Sequence, residues 1–115
     1  MKNLLKTDYG NTLDIPTPLS RNGRKAAAII KKYMHKKGYS TGGSRTFYTP
    51  REWTDRGESY GCRSELVFVY DGGDLYSVMN HELGGAGEQD LSQELAKAGL
   101  YHEQCTGWYS AIYKI

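Results

Sequence analysis

The longest uninterrupted run of strand-forming apolar residues lies at Leu66–Val69. Residues of these types suit a pleated, buried surface, and a run without alternation is typical of a strand that is covered on both faces. Two glycines follow between Asp71 and Asp74, and glycine readily adopts the positive φ angles of a tight turn. The pattern therefore predicts a central hairpin in which Leu66–Tyr70 pairs antiparallel with Leu75–Met79.

An amphipathic helix is predicted over residues 22–37. Ser20 or Asn22 can cap its beginning, and Gly38 can end it. At helical spacing, the apolar side chains on one face are Ala26, Ile29, Ile30, Tyr33 and Met34. This face is expected to pack on the sheet.

Two further helices are predicted from their capping residues. Thr49-Pro-Arg-Glu52 has the residues of a capping box with proline in the first turn, and Gly57 can end that short helix. After a glycine-rich loop at residues 80–87, Asp90 can cap a helix over Leu91–Ala98.

The remaining segments predict edge and closing strands. Residues 1–21 are expected to form an extended arm with a short edge strand at Thr12–Ile15, and Tyr39–Thr49 a second edge strand bent at its glycines. Thr106–Ile115 is expected to close the chain as a strand. The order is helix, strand, short helix, hairpin, helix, strand. It predicts a single α+β domain over residues 1–115, with a mostly antiparallel sheet of about four strands and helices on one side.

Composition is typical of an ordinary globular protein. The chain has 115 residues, of which 38% are hydrophobic and 24% charged, and it contains no apolar run of membrane-spanning length. The first residues lack the apolar region of a secretory signal, so a cytoplasmic protein without membrane contact is expected. Two cysteines are too few for a disulfide framework.

Charge is unevenly distributed along the chain, and tyrosine is in excess over phenylalanine. Up to Gly57 the chain has 12 Lys and Arg against four Asp and Glu, whereas from Glu58 it has three against nine. Ten tyrosines accompany only two phenylalanines, a preference typical of half-exposed and interfacial positions. The chain either neutralises its two halves on folding or presents basic and acidic surfaces to partners.

Five of these 12 basic residues lie on the polar face of the first predicted helix. The cations that could contact phosphates there are Arg24, Lys25, Lys31, Lys32 and Lys36, with Tyr39, Arg45 and Tyr48 near enough in sequence for base stacking. The same pattern is also that of an ordinary solvated helix. A nucleic-acid-binding domain is therefore an alternative function.

Catalytic and metal-binding signatures are weak. Cys62, His81, His102 and Cys105 lack the spacing of a zinc motif, so neither a metal nor another cofactor is expected. Cys105 with a histidine base, or the carboxylates around the predicted hairpin, leave a small enzyme as a second alternative. Asp71, Asp74 and Glu65 could together bind a cation, but aspartates also favour turns.

A segment rich in arginine and aromatic residues is the main candidate binding surface. Trp, Tyr and Arg dominate the energetics of protein interfaces, although Trp53 could also simply anchor a short helix. The candidate binding residues are Tyr48, Arg51, Trp53, Arg56, Tyr60, Trp108 and Tyr109. Arg51, Arg56, Tyr60 and either Trp108 or Tyr109 are expected to converge on one exposed patch, with Trp53 as support.

Much of the chain, from Lys25 to Ile115, resembles a family of small uncharacterised proteins encoded by tailed bacteriophages and prophages. The resemblance is carried by Tyr48, Arg51-Glu-Trp53, Arg56-Gly-Glu58, Tyr60-Gly61, Ser64-Glu-Leu66, Asp71-Gly-Gly-Asp74, Glu103-Gln-Cys105, Trp108-Tyr109 and Ala111-Ile-Tyr113. Members often have a cysteine before the tryptophan, where this chain has Gly107. The resemblance implies the host-cell cytoplasm as the setting. We expect a non-enzymatic accessory protein that binds, and inhibits or redirects, a host or phage macromolecule such as a defence component.

Overall fold

The computed structural model describes residues 12–81 and 84–115. Within them the elements in chain order are α1 (Arg21–Lys37), β1 (Phe47–Tyr48), α2 (Pro50–Asp55), β2 (Leu66–Val69), α3 (Leu75–Met79), α4 (Ala86–Lys97), β3 (Leu100–Thr106) and β4 (Tyr109–Lys114). The described residues contain no helix that is both long enough and apolar enough to cross a membrane.

The described strands form one four-stranded antiparallel sheet in the order β1-β2-β4-β3. Phe68 of β2 lies opposite Phe47 on one side and Ser110 on the other. β2 and β4 are the inner strands, and buried clusters lie on both faces of β2, which accounts for its uninterrupted apolar sequence. The predicted α+β class with an antiparallel sheet of about four strands is confirmed.

The main core lies on the first face of the sheet, between the strands and helices α1, α3 and α4. Leu66, Phe68 and Ile112 project from this face and are fully buried. From the helices, the fully or almost fully buried side chains include Ile30, Met34, Leu75, Val78, Met79, Leu91 and Leu95. The expected burial of Phe68 is therefore confirmed.

The second face carries a smaller core built on the alternate residues of the same strands. Val67 and Tyr109 project there and pack against Trp53 of α2, and all three are buried. Helices α1, α3 and α4 thus cover one face of the sheet, while the short α2 covers part of the other. Trp53 holds α2 against the sheet, since an isolated six-residue helix would be unstable.

Helix α1 begins and ends at the residues that the sequence indicates. The Ser20 hydroxyl oxygen accepts a hydrogen bond from the Gly23 N–H group at 3.0 Å. Gly38 ends the helix with a φ of 71°, and its N–H group donates to the carbonyl oxygens of the last turn. Serine and left-handed glycine satisfy groups that the helix itself cannot pair.

The predicted hairpin is wrong, because Leu75–Met79 is helix α3 rather than a strand. Gly72 has a φ of 81°, which favours glycine, and Gly73 packs closely against the loop before β1. A Cβ atom on Gly73 would lie 2.9 Å from the carbonyl oxygens of Ser40 and Thr41. The turn therefore directs the chain into α3, and β2 pairs with β1 and β4 instead.

The C-terminal third also differs from the prediction. Helix α4 begins at Ala86 after Gly85, so Asp90 lies within the helix and does not cap it. The actual hairpin joins β3 to β4 around Gly107, which makes Leu100–Thr106 an additional strand. Only Leu100 of that strand is fully buried. β3 is a mostly polar edge strand, so its sequence has no apolar pattern that would predict a strand.

The predicted edge strands are shorter than expected or absent. Thr12–Ile15 is not a strand, although the Thr12 carbonyl oxygen accepts a hydrogen bond from Thr46 at 2.8 Å. Leu13 and Leu19 are buried in the main core, so the segment of residues 12–20 packs against the rest of the domain. Within Tyr39–Thr49, only Phe47–Tyr48 is strand. Residues 1–11 of the expected arm lie outside the described residues.

Candidate functional site

Aromatic rings from two other parts of the chain surround Trp53 on the second face of the sheet. The ring of Trp53 is 5.0 Å from that of Tyr48, 4.8 Å from that of Tyr109 and 5.9 Å from that of Trp108. Trp53 and Tyr109 are buried, whereas Tyr48 and Trp108 are half-buried. The buried pair therefore supports two rings that reach the surface.

Two arginines lie over these rings. The guanidinium carbon of Arg45 is 4.0 Å from the centre of the Tyr48 ring, and that of Arg56 is 4.4 Å from the centre of the Trp53 ring. Such stacking orients a guanidinium and adds a cation–π attraction. We call this set the Arg–aromatic surface: Arg45, Tyr48, Trp53, Arg56, Trp108 and Tyr109.

Each arginine of the surface also has a carboxylate partner. Arg45 forms a salt bridge with Glu52 at 2.8 Å, and Arg56 forms one with Glu58 at 3.3 Å. Residues 45–58 contain three arginines and three acidic residues, so the segment has no net charge. The surface therefore presents oriented hydrogen-bond donors and aromatic rings without an excess positive potential.

The capping box predicted for the short helix is present and ties α2 to Arg45. The Thr49 hydroxyl oxygen accepts from the Glu52 N–H group at 3.0 Å, and the Glu52 carboxylate accepts from the Thr49 N–H group at 2.9 Å. The hydrogen bond from Arg45 is the main reason that the pKa of Glu52 is lowered. One carboxylate thus holds both the start of α2 and an arginine of the surface.

The remaining two candidate residues lie outside this set of ring contacts. Arg51 is exposed on α2, where it pairs with Asp55 at 3.7 Å. Tyr60 is 61% exposed, and its carbonyl oxygen accepts a hydrogen bond from the buried Tyr109 hydroxyl at 3.1 Å. Arg45, which the sequence suggested only for base stacking, belongs to the surface because its side chain reaches the Tyr48 ring.

The cations of α1 lie on the outer side of that helix. Arg24, Lys25, Lys32 and Lys36 are exposed, and Lys31 is half-buried. Lys32 and Lys36 line a groove shared with α4, whose acidic side chains face them. The basic face is therefore partly compensated within the molecule, which weakens its attraction for a polyanion.

The geometry does not favour Cys105 as a nucleophile. Burial raises the pKa of the Cys105 thiol to about 11, so little of the reactive thiolate exists at neutral pH. His102 lies on the first face of the sheet, opposite Ile112, whereas Cys105 packs against the second-face core. The histidine cannot act as its base from the opposite face.

The carboxylates near the predicted hairpin are used in local structure. Asp74 accepts a hydrogen bond from the Ser40 N–H group at 2.8 Å, and Glu65 accepts one from the Ser20 hydroxyl. In the described part of the chain, no group of three or more His, Cys, Asp or Glu side chains is arranged to hold a metal ion.

A polar cluster that the sequence did not indicate joins α4 to β3. The Glu88 carboxylate lies 2.5 Å from Nε2 of His102 and 3.5 Å from Nε2 of His81, and it accepts a hydrogen bond from Ser92. Burial alone would raise the pKa of Glu88, but the hydrogen bonds from Ser92 and His102 outweigh it and lower the pKa. His81 has a φ of 60°, an uncommon conformation for a residue other than glycine. The cluster fixes the first turns of α4 on the sheet.

Comparisons of the chain with protein-family models, with curated proteins and with solved structures find no match.

Proposed function

We propose that this protein is a non-enzymatic binding protein that captures a protein partner through the Arg–aromatic surface. The observation that carries the proposal is the stacking of Arg45 on the Tyr48 ring and of Arg56 on the ring of the buried Trp53. Interfaces concentrate their energy in arginine and aromatic side chains that are held rigidly before binding. Few rotamers remain to be frozen when a partner docks on such a surface.

Charge compensation supports a protein partner over a nucleic acid. Phosphate binding requires cations whose charge is not already neutralised, because the release of counterions from the polyanion drives it. The arginines of residues 45–58 each have an acidic neighbour. Hydrogen-bond acceptors and apolar side chains of a protein suit such a surface better.

The resemblance to phage proteins supplies a setting for this proposal. The partner would be a host or phage protein in the host-cell cytoplasm, and its capture would inhibit or redirect that partner. Defence components are one class of host protein that fits this setting.

Affinity capture from bacterial lysate, quantified by mass spectrometry, tests the proposal. Arg56→Ala and Trp108→Ala should each weaken capture of the same enriched protein by about 1 kcal/mol or more, with little change in melting temperature for Arg56→Ala. The matched control is the triple substitution of Lys31, Lys32 and Lys36 by Glu, which alters only α1. Capture that is lost in the α1 variant and retained in both surface variants would overturn the proposal.

A further inference from the structure

Strand β3 forms one edge of the sheet, and no other described strand pairs with its outer side. It runs from Leu100 to Thr106 and contains neither proline nor lysine. Proteins usually protect a free edge with such residues, with a bulge or by keeping the strand short, because unpaired backbone groups pair readily with another chain. The other edge strand, β1, has only two residues. Within the described sheet, β3 is therefore the edge to which a further strand can add.

The hydrogen bonds between β3 and β4 determine which backbone groups point outward. In an antiparallel pair, residues that bond to each other alternate with residues whose N–H and C=O groups point away from the partner strand. The Ile115 N–H group donates to the Gly99 carbonyl oxygen at 2.9 Å. Counting by two from Gly99, Tyr101 and Glu103 bond to β4. The backbone groups that point to the free edge are those of Leu100, His102 and Gln104.

The regular part of β3 is symmetric about one of these outward-pointing residues. From Leu100 to Gln104 each residue lies opposite one residue of β4, and the register shifts between Gln104 and Thr106. His102 is the middle residue of the regular part. A two-fold axis at His102 therefore pairs the regular parts of two copies along their whole length. In this register, the outward groups of one copy meet the outward groups of the other.

The side chains of β3 are compatible with this register. Tyr101 is 47% exposed and stacks on Tyr113 with ring centres 5.6 Å apart. It lies opposite Glu103 of a second copy, and the Tyr101 rings of the two copies are diagonal neighbours within reach of each other. A register centred on Glu103 would instead place two carboxylates directly opposite, which is destabilising. On the first face, each His102 ring is held by Glu88 of its own copy at 2.5 Å.

We infer that this chain forms a two-fold symmetric dimer in which two β3 strands pair antiparallel around His102. The two sheets then become one continuous sheet, with β1 and α2 towards its outer ends. The dimer presents the Arg–aromatic surface twice, so a partner with two copies of the binding site is held with avidity. That consequence rests on the proposed function, whereas the dimer itself does not.

Analytical ultracentrifugation of the full chain without a partner, from micromolar to millimolar concentration, tests the inference. The wild type should be a dimer at the upper end and should dissociate on dilution. Tyr101→Glu places a carboxylate opposite Glu103 twice in each dimer and should raise the Kd by about tenfold or more. Adding Glu103→Lys to this variant places opposite charges there and should restore the dimer.

Tyr76→Glu is the matched control, because Tyr76 is a similarly exposed tyrosine, 38% exposed, on α3. It should dimerise like the wild type, and melting curves check that every variant is folded. Hydrogen–deuterium exchange locates the contact. The N–H groups of His102 and Gln104 should be protected at dimer-forming concentration and should exchange on dilution.

Four results would overturn the inference. They are a wild type that stays monomeric throughout, a Tyr101→Glu variant with an unchanged Kd, an equal loss in the Tyr76→Glu variant, and protection of the β3 edge that does not depend on concentration. The last result would show that residues 1–11 or another segment of the same chain covers the edge. A dimer that Tyr101→Glu weakens and Glu103→Lys restores would support the inference.

Discussion

Replacing Glu52 by alanine removes two interactions that hold α2 in place. The carboxylate accepts a hydrogen bond from Thr49 at 2.9 Å and forms the salt bridge with Arg45 at 2.8 Å. Such a hydrogen bond contributes about 0.5–1.5 kcal/mol, and an exposed ion pair about 0.2–1 kcal/mol. Because the Glu52 side chain is 41% exposed, the ion pair belongs in the lower part of its range. We therefore expect Glu52→Ala to lower the free energy of unfolding by about 1–2 kcal/mol.

Two matched variants separate the contributions. Glu52→Gln keeps a neutral acceptor for the Thr49 N–H group and loses only the negative charge, so its cost should be about 0.5 kcal/mol. Asp55→Asn breaks the more exposed pair with Arg51, at 3.7 Å. It should change the free energy of unfolding by less than about 0.5 kcal/mol.

The contribution of the Glu52 charge to the free energy of unfolding must depend on pH. Since the pKa of Glu52 is lower in the folded protein than in the unfolded chain, its charge contributes stability above the unfolded pKa. That contribution is lost as the pH falls through the folded pKa. Urea unfolding at several pH values should show the wild type and Glu52→Gln converging in acid. A difference that does not change with pH, or a Glu52→Ala variant as stable as the wild type, would refute this reasoning.

Three other predictions concern the core, the polar cluster and the thiols. Phe68→Ala should lower the free energy of unfolding by about 3–5 kcal/mol through cavity formation, and a loss below about 1 kcal/mol in urea unfolding would contradict the buried position. Glu88→Gln should lower it by about 1 kcal/mol or more near neutral pH. That loss should diminish in acid because the pKa of Glu88 is lowered, whereas a cost that persists in acid would exclude the charge as its cause. Iodoacetamide should modify Cys105 more slowly in the folded protein than in urea, since its pKa of about 11 disfavours the thiolate; equal rates measured by mass spectrometry would show an accessible, reactive thiol.

Elements with local signals could be predicted from the sequence. The caps of α1 and the capping box of α2 are each formed within a few residues, so the pattern alone indicates them. The glycine pair before α3 does not indicate one structure. Glycine is favoured both in a hairpin turn and where two backbone segments approach closely, so the sequence alone does not distinguish the two. The spacing of Leu75, Val78 and Met79, all buried on one side of α3, is the helical signal in that segment.

The rest depends on contacts between distant parts of the chain. β3 is an edge strand with His102, Glu103 and Gln104 in its middle, so its pairing with β4 rather than its composition defines it. Likewise, sequence clustering suggested most of the Arg–aromatic surface, but only tertiary packing brings Trp108 to Trp53. The cluster around Glu88 has no sequence motif at all, since its members come from a loop, a helix and a strand.

Hydrogen–deuterium exchange of the complex with the captured partner tests the proposed binding surface most directly. Protection should fall on β1 and α2 and on the turn at Trp108, the segments that carry the Arg–aromatic surface. Helix α1 should exchange at the same rate in the free and bound protein. Protection of α1 with unchanged exchange in α2 would contradict the proposed surface and place the partner on the basic helix.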